Sequence, residues 1–408
     1  LKSYSSDLAQ VGPHDKHQLS IKKNIKKTVE LNTSFFEVCF FFQIKIKKSL
    51  FSLRQKIGPI HNQDLTPPQE YIQTLQASPH WPHISYFEMN LETWRQLWRV
   101  LEMCDVLLLI VDVRFAGMMF PPSLYSYIVN EQKKDMILVL NKIDLVPASV
   151  VAAWTEYLSD RFPGLRVVYF TSFRRRKGRQ RMCTEGATKL YEACRDLVGE
   201  SVDLSSWEKK IKEESQVEFD DDEQVEVGEF TILQRPDTSY YTHERFKNGV
   251  LTVGCVGQPN VGKSSLLNAV MGRKVVSVSK TPGHTKHFQT IFLTPQVRLC
   301  DCPGLVFPSA VPRSIQILMG SYPIAQVVNN DDTWSPRDIC DGWAKKRGYL
   351  TAKAARLDTY RAANSILRMA LDGKICLWLR PPRFSDRRGM YIIIIMSLFA
   401  GIPIYIYT

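Results

Sequence analysis

The stretch that decides the fold is Gly257-Gln258-Pro259-Asn260-Val261-Gly262-Lys263-Ser264. It has the Gly-x-x-x-x-Gly-Lys-Ser pattern of a phosphate-binding loop, whose glycines let the backbone curl around phosphate oxygens so that its amides can donate to them. The apolar run Leu251–Val256 precedes the loop, and Ser264–Met271 is predicted to be the helix after it. A strand, a glycine-rich loop and a helix in this order predict a phosphate site at the carboxyl edge of a parallel sheet.

A second motif, Asn141-Lys142-Ile143-Asp144, comes directly after the apolar run Met136–Leu140 and has the Asn-Lys-x-Asp form of a guanine-recognition loop. The carboxylate of Asp144 can accept hydrogen bonds from both N1–H and the 2-amino group of guanine, a pairing that adenine does not offer. We expect Asn141 to bond the base and the loop backbone, and the stem of Lys142 to cover the ring. The motif therefore predicts selectivity for guanine nucleotides.

The order of these two motifs is the reverse of that in an ordinary small GTPase, in which the phosphate loop comes first. Here the guanine loop lies far upstream of the phosphate loop, which predicts a circularly permuted GTP-binding domain. Thr171 and Ser172, at the end of the predicted strand Val167–Phe170, take the place of the short loop whose backbone amide meets guanine O6. A serine at a strand end is also common without such a role, and the sequence leaves both interpretations open.

A third motif, Asp301-Cys302-Pro303-Gly304, ends the predicted strand Val297–Cys300. Asp301 is expected to hold Mg²⁺ through water, and the amide of Gly304 to sense the γ-phosphate. Thr285 lies between this motif and the phosphate loop and is the favoured hydroxyl ligand of the metal, with a plain turn at its Pro-Gly neighbours as the lesser alternative.

These patterns together predict one site for GTP or GDP with Mg²⁺. The predicted metal ligands are Ser264, Thr285 and Asp301, and the residues expected to serve hydrolysis are Lys263, Thr285 and Gly304. The predicted nucleotide contacts are Asn141, Lys142, Asp144, Thr171, Ser172, Gly257, Pro259, Asn260, Val261, Gly262, Lys263, Ser264, Ser265, Asp301 and Gly304.

Hydrolysis is expected to be slow, because the glutamine that orients the attacking water in Ras-like proteins is missing. Leu305 and Val306 come after the third motif instead, and an apolar side chain cannot orient water. Asn260 in the phosphate loop is a candidate for binding a monovalent cation, while asparagine also stabilises turns by itself.

The remaining pattern predicts an α/β fold with a doubly wound, mostly parallel sheet. Helical segments at Leu91–Leu101 and 148–161, the apolar run Val106–Val111 ending at Asp112, and a hairpin formed by Phe288–Leu293 and Val297–Cys300 surround the motifs. A small helical C-terminal region is predicted at Asp338–Arg347 and Ala352–Leu371, with Gly348 and Gly373 placed to end the two helices.

Charge and the chain ends add weaker expectations. A net charge of +12 suggests an anionic partner, nucleic acid before membrane, or a solvated basic surface. The nine cysteines form no Cys-x-x-Cys pair, which favours reduced thiols in an intracellular protein without structural zinc. The first residue is Leu1, so we expect the natural start to lie upstream. The apolar tail Tyr391–Tyr407 leaves a membrane anchor open as an alternative to irregular sequence.

These observations divide the chain into an irregular extension (1–84), a permuted GTPase domain (85–320) with a flexible basic and acidic insert (173–248), a helical region (334–380) and an irregular apolar tail (381–408). The basic run Arg174–Arg181 in the insert is compatible with a nuclear localisation signal, an RNA contact or a solvated loop. The acidic stretch Glu213–Glu229 is typical of a flexible linker.

The three motifs and their order resemble the circularly permuted, YlqF/YawG-type GTPases of ribosome assembly, over about Trp94–Gly373. The resemblance implies GTP binding with slow hydrolysis and action near pre-ribosomal RNA or particles, in the nucleus or nucleolus, with the cytoplasm as an alternative. Leu305 matches the family's hydrophobic replacement of glutamine, and Asn260 matches the residue of its potassium-activated members. The segment between Gln326 and Trp334 is shorter than the resemblance leads us to expect.

Three functions compete on these grounds: a nucleotide-controlled switch acting on ribonucleoprotein, a non-catalytic GTP-binding scaffold, and a membrane-tethered GTPase that rests on the tail alone. In the first, basic residues of the C-terminal helices meet RNA phosphates, although charged helix faces are usually just solvated. Those residues are Lys345, Lys346, Arg347, Lys353, Arg356, Arg361 and Arg368.

Overall fold

A computed structural model describes residues 85–172, 177–216, 244–278, 283, 285, 287–309, 311, 316, 319–321, 336–351, 356–371, 378–382 and 384. The N-terminal extension, the start of the basic run, most of the acidic stretch, Lys353, Gly373 and the apolar run Tyr391–Tyr407 lie outside these residues. The predictions made for those segments therefore stay predictions.

A single sheet organises the described residues. Its strands are β1 (Val106–Asp112), β2 (Asp135–Asn141), β3 (Arg166–Tyr169), β4 (Leu251–Val256), β5 (Gln289–Thr294) and β6 (Val297–Asp301), and their spatial order is β3-β2-β1-β4-β6-β5. All neighbouring pairs are parallel except β5 and β6, which form the predicted antiparallel hairpin. The predicted doubly wound, mostly parallel sheet is thus confirmed.

Helices alternate with the strands. They are α1 (Leu91–Met103), α2 (Ala116–Met119), α3 (Pro122–Tyr125), α4 (Ala148–Arg161), α5 (Lys177–Val198), α6 (Ser205–Gln216), α7 (Lys263–Met271), α8 (Pro336–Arg347) and α9 (Thr359–Leu371). A π-helical turn covers Ser126–Glu131, and 3₁₀ turns cover Val113–Phe115, Ile143–Leu145 and Lys247–Gly249. None of the helices in the described part of the chain combines the length and apolarity needed to cross a membrane.

The central strands are buried on both faces, which explains their nearly unbroken apolar sequence. Every residue of β1 and β4 is buried, and so is every residue of β2 after Asp135. Their polar residues lie at or next to the strand ends, and the strands are parallel, so all their carboxyl ends lie on the same side. The polar motifs therefore gather at one edge of the sheet.

The prediction that the insert is flexible is wrong for residues 177–216, most of which lie in α5 and α6. Leu190, Tyr191, Cys194 and Val198 of α5 are buried, and Trp207 of α6 packs its ring edge-on against Tyr191 at 5.6 Å. These apolar residues recur at helical spacing, so α5 covers a face of the sheet as an ordinary helix of the fold. The highly charged sequence on either side of them obscured that periodicity.

The second C-terminal helix also differs from expectation, because α9 begins at Thr359 and not at Ala352. The side chain of Asp358 accepts a hydrogen bond from the Arg361 amide at 2.9 Å and so caps the helix. An isolated antiparallel bridge joins Leu350 to Leu357 before the helix begins. The predicted end of α8 is confirmed, since Gly348 comes directly after it with a left-handed φ of 66°.

Gly254 tests the packing of α1 on the sheet. A Cβ atom at this position of β4 would lie 2.8 Å from Cys104 Sγ, 2.8 Å from Leu107 Cδ2 and 2.9 Å from Val100 Cγ1. Gly254→Ala is expected to lower the free energy of unfolding by about 1–3 kcal/mol, because the core must shift to admit a methyl group.

The control is Gly342→Ala in α8, where an added Cβ meets open space. This change is expected to stabilise the helix by about 0.5–1 kcal/mol. Urea unfolding of both variants measures the difference, and a Gly254→Ala protein as stable as the wild type would contradict this account of the core.

Candidate nucleotide-binding site

The carboxyl edge of the sheet brings the sequence motifs together. Strands β1, β2 and β6 end at Asp112, Asn141 and Asp301, while Thr171 lies just after β3 and Gly257 just after β4. Asp112 and Asn141 are direct neighbours in the register of β1 and β2. Ligands of doubly wound sheets bind at this edge, where strand order reverses.

The guanine loop contacts the phosphate loop directly. The Asn141 side-chain amide donates to the Val261 carbonyl at 2.8 Å, and Lys142 Nζ donates to the Asn260 carbonyl at 2.7 Å. A Cβ atom at Gly262 would lie 2.4 Å from Asn141 Nδ2, so only glycine lets the two loops approach this closely. Two motifs that are far apart in the sequence therefore form one surface.

Hydroxyl groups orient the side chains that are expected to read the base. Thr171 Oγ1 donates to Asp144 Oδ1 at 2.8 Å, and Ser172 Oγ donates to Asn141 Oδ1 at 3.4 Å. Thr171 is completely buried. The two hydroxyls thus hold the carboxylate and the amide in place, while a contact from the Ser172 backbone amide to guanine stays a prediction.

Left-handed backbone shapes the phosphate loop. Gly257 has φ 151° and Gly262 has φ 101°, and a Cβ atom at Gly257 would lie 2.3 Å from the Ile110 carbonyl oxygen. Asn260 also adopts a positive φ of 59°, a conformation that asparagine tolerates better than most residues. The loop therefore curls back tightly enough to turn its amides inward, as a phosphate cradle requires.

Lys263 is buried at the base of this loop. Its Nζ donates to the carbonyls of Gly257 at 3.2 Å and Gln258 at 2.7 Å. Burial lowers the pKa of Lys263, and the neighbouring Asp301 carboxylate opposes part of that shift. The ammonium group is thus held beside the cradle, within reach of anionic oxygens.

Ser264 and Asp301 form the candidate metal site. Ser264 Oγ donates to Asp301 Oδ2 at 2.8 Å, whereas Asp301 Oδ1 is buried without a hydrogen-bond partner among the described residues. Burial raises the pKa of Asp301, and the Lys263 charge and the Ser264 hydroxyl counteract it. A hard cation beside this unsatisfied carboxylate oxygen would remove the penalty, so the residues present fit Mg²⁺. Thr285 is half-buried, and its role stays a prediction.

Gly304 lies against the phosphate loop. A Cβ atom there would lie 2.7 Å from Pro259 Cα and 3.1 Å from Lys263 Nζ, and the next amide, of Leu305, donates to the Gly257 carbonyl at 3.2 Å. The side chains of Leu305 and Val306 are buried in the core. This segment can therefore respond to the phosphates through its backbone, but it presents no polar side chain at the position of the missing glutamine.

Asn260 makes a contact that its sequence position did not reveal. Its side-chain nitrogen donates to the Gly320 carbonyl at 2.8 Å, and next to it Ser321 Oγ donates to Gln258 Oε1 at 2.7 Å. The structure thus supports the loop-stabilising interpretation of the amide nitrogen. The contacts of Gln258 and Ser321 carried no sequence signal, because no motif includes residue 321.

Asp112 and Arg114 were not predicted as site residues. Arg114 donates to the buried Asp112 carboxylate through Nε at 3.0 Å and through a terminal nitrogen at 2.7 Å, and Lys142 Nζ lies 2.8 Å from the same carboxylate. Burial by itself would raise the pKa of Asp112, but these two cations outweigh it and lower the pKa to about 2. The one sequence signal was an aspartate at the end of a buried strand.

Comparisons with known proteins agree with this geometry. A family model described as a 50S ribosome-binding GTPase matches residues 252–347. Guanine nucleotide-binding protein-like 1 from Rattus norvegicus is 44% identical over 378 residues, and its Homo sapiens counterpart is 44% identical over 379 residues. Each match covers 79% of this chain and 62% of the relative, so the chain spans less than two thirds of their length. These relatives confirm the resemblance inferred from the motifs.

Two more distant proteins are also similar to this chain. Large subunit GTPase 1 from Saccharomyces cerevisiae is 30% identical over 346 residues, covering 74% of this chain and 51% of the relative. The solved structure of GNP-bound YlqF from T. maritima is 19% identical, with a TM-score of 0.41 over 71% of this chain and 98% of that one. A score this low supports no argument from shape, so the fold rests on the strand order described above.

Asp144 gives the sharpest test of base recognition. Asp144→Asn replaces an acceptor of guanine N1–H and the 2-amino group by a mixed donor and acceptor, so affinity for GDP is expected to fall about 100-fold or more. The new amide nitrogen can donate to the 2-oxo group of xanthine, so binding of xanthosine diphosphate is expected to improve.

Competition titrations with both nucleotides measure this change. Asp160→Asn, an exposed position near the end of α4, is the matched control and is expected to leave both affinities unchanged. Undiminished GDP binding by Asp144→Asn would refute the assignment.

Proposed function

This chain is a homologue of guanine nucleotide-binding protein-like 1 with the fold of the circularly permuted GTPases, and from that premise we propose that it is a GTP-binding switch of ribosome assembly that hydrolyses GTP slowly. One observation carries the proposal. The guanine loop and the phosphate loop touch through Asn141 and Lys142, and the Asp301–Gly304 segment lies against the same phosphate loop. This arrangement matches the base, the phosphates and the metal of a guanine nucleotide together.

Each part of the site receives a role in this proposal. Asn141, Lys142 and Asp144 bind the base, with Thr171 and Ser172 orienting two of them. The phosphate-loop residues Gly257, Pro259, Asn260, Val261, Gly262, Lys263, Ser264 and Ser265 surround the phosphates. When Mg²⁺ is bound, it neutralises charge on the β- and γ-phosphates. Ser264 and Asp301 would hold it, with Thr285 as a further ligand.

Slow hydrolysis follows from the chemistry beside the γ-phosphate. Leu305 is buried and its amide already donates to the Gly257 carbonyl, so neither its side chain nor its amide can orient the attacking water. Catalysis then rests on Lys263, the metal site and the Gly304 amide. Potassium stimulation is a finer proposal, in which the Asn260 amide oxygen meets the cation while its nitrogen keeps the bond to Gly320.

RNA of a pre-ribosomal particle is the proposed partner, with the nucleus or nucleolus as the place of action. The cations of α8, of α9 and of the residues just before α9 support it, since all of them are exposed: Lys345, Lys346, Arg347, Arg356, Arg361 and Arg368. The Arg347 guanidinium lies 4.7 Å from the Trp343 ring and that of Arg361 lies 4.5 Å from the Tyr349 ring. Guanidinium groups held on aromatic rings present ordered donors to phosphates.

A non-catalytic GTP-binding scaffold is the second candidate, and the buried Leu305 favours it. Single-turnover hydrolysis in potassium and in sodium buffer separates the two. We expect phosphate release in both, faster in potassium, and no release in either buffer would leave the scaffold as the function.

Ser264→Ala is expected to slow hydrolysis about tenfold or more at saturating GTP, because the metal loses a ligand. Ser159→Ala, near the end of α4 that leads to the amino end of β3 and so lies away from the motif edge, is the matched control and should hydrolyse GTP at the wild-type rate. Equal rates for Ser264→Ala and the wild type would contradict the assigned metal site.

Cosedimentation with ribosomal subunits tests the partner. Binding is expected to be stronger with GTP than with GDP or without nucleotide, and to weaken with salt. Replacing Lys345, Lys346 and Arg347 by alanine should reduce the slope of log affinity against log salt by roughly 0.7–0.9 per lost phosphate contact.

The control replaces the exposed Lys189, Lys209 and Lys212 of α5 and α6 by alanine, which removes the same charge elsewhere. The same loss from both triple variants would mean that only net charge matters. Binding that ignores the nucleotide would remove the switch from the proposal.

A further inference from the structure

The buried carboxylate of Asp112 contacts both Lys142 of the guanine loop and Arg114, and the proposed nucleotide chemistry gives it no role. Its Oδ2 faces Lys142 Nζ at 2.8 Å, and the same Nζ donates to the Asn260 carbonyl at 2.7 Å. The Lys142 ammonium thus bridges the end of β1 and the phosphate loop. Both contacts restrict where the Lys142 ammonium can lie.

Lys142 would not keep this position by itself. Its backbone is left-handed, with φ 62° and ψ 35°, a conformation that is unfavourable for a residue with a side chain. Only about a fifth of its side chain is exposed (18%), whereas Asp112 is fully buried. An ion pair inside the protein is screened little by solvent, so the anchoring force on Lys142 comes mainly from Asp112.

Arg114 extends the connection to the C-terminal part of the chain. Its guanidinium is buried against Asp112, and its backbone carbonyl accepts the Leu379 amide at 2.8 Å. The Leu379 carbonyl in turn accepts Trp154 Nε1–H of α4 at 2.9 Å. Both backbone groups of Leu379 are therefore bonded to the GTPase domain behind the guanine loop, and Trp378 and Leu379 pack on its core.

We propose that Asp112 is a positioning residue for guanine recognition that acts through Lys142, and that Arg114 links it to the docked segment Trp378–Arg380, so that nucleotide binding and docking stabilise each other. The segment comes after the helical region, whose other end leads from Ser321 at the phosphate loop. The region that contains α8 and α9 is thereby attached to the nucleotide site at both ends. This inference rests on the proposed binding of guanine nucleotide.

A double-mutant cycle in the full chain tests the first half, with the affinity for a fluorescent GDP analogue as readout. Asp112→Asn and Lys142→Met are each expected to weaken binding about tenfold or more, the loss typical of a charge-assisted hydrogen bond. Because Asp112 acts through Lys142, the double variant should bind no more than about twofold worse than Lys142→Met alone.

Asp105→Asn is the matched control. Asp105 is also a buried aspartate, at the opposite end of β1, where it accepts the amides of Phe246 and Thr252. This variant is expected to lose stability yet bind GDP within about twofold of the wild type, as additivity of distant sites requires. A merely structural role of Asp112 would make the two aspartate variants behave alike.

Hydrogen exchange tests the second half. Because coupling between two sites is reciprocal, GDP is expected to slow exchange of the Leu379 amide in the wild type. In Lys142→Met, GDP is expected to have no such effect. Lys142→Met leaves the Asp112–Arg114 pair intact, so this measurement stands even where Asp112→Asn fails to fold.

The outcomes are distinguishable. A wild type that binds no GDP refutes the proposed function. A wild type that binds GDP while Asp112→Asn adds its full loss to that of Lys142→Met overturns the positioning role. Unchanged Leu379 exchange with GDP overturns the link to the C-terminal segment.

Discussion

The close approach of the guanine loop to the phosphate loop is the constraint on which the rest of the site depends. Asn141 and Lys142 donate to two successive carbonyls of the phosphate loop, and the absence of a side chain at Gly262 makes room for them. The contact needs β2 and β4 on either side of β1, which the strand order provides. The contact depends only on which strands are neighbours in the sheet. A circular permutation, which joins the original chain ends and opens the chain at another point, therefore leaves the contact intact.

Permutation does change the path of the chain after the Asp301–Gly304 segment. Residues beyond Leu305 pair with the segment before α1: the Glu88 amide donates to the Val306 carbonyl at 3.0 Å, and the Ser85 amide donates to the Ser309 carbonyl at 2.8 Å. The chain then returns to the phosphate loop at Gly320 and Ser321. The chain after the γ-phosphate-sensing segment is thus held first by the residues before α1 and then by the phosphate loop. In the proposed switch, a change at the phosphates would reach Gly320 and Ser321, which come before α8 in the chain.

Buried charges at the sheet edge divide into two groups with opposite behaviour. Burial lowers the pKa of Lys263 and raises the pKa of Asp301, so each shift favours the uncharged form of the group. A metal ion and phosphates at the site would offset this cost of burial. Asp112 is stabilised as an anion by Lys142 and Arg114. Because its pKa falls from 3.8 to about 2, its contribution to stability is complete above about pH 4 and disappears as the pH falls through about 2. The first group is prepared for a ligand, whereas the second is already complete.

The sequence by itself determined the sheet, the three motifs and their inverted order, because apolar strands and phosphate-binding glycines are local signals. It also predicted the boundaries of α4 and β4 correctly. It did not reveal that α5 and α6 pack on the sheet, because charged flanks hid their apolar faces, nor that α9 begins after a cap at Asp358. Only the tertiary structure decided that Asp112 anchors Lys142, that Asn260 holds Gly320 and that Leu379 docks on Arg114. Each of these contacts joins residues far apart in the chain or at the ends of different strands, and no local pattern encodes such a pairing.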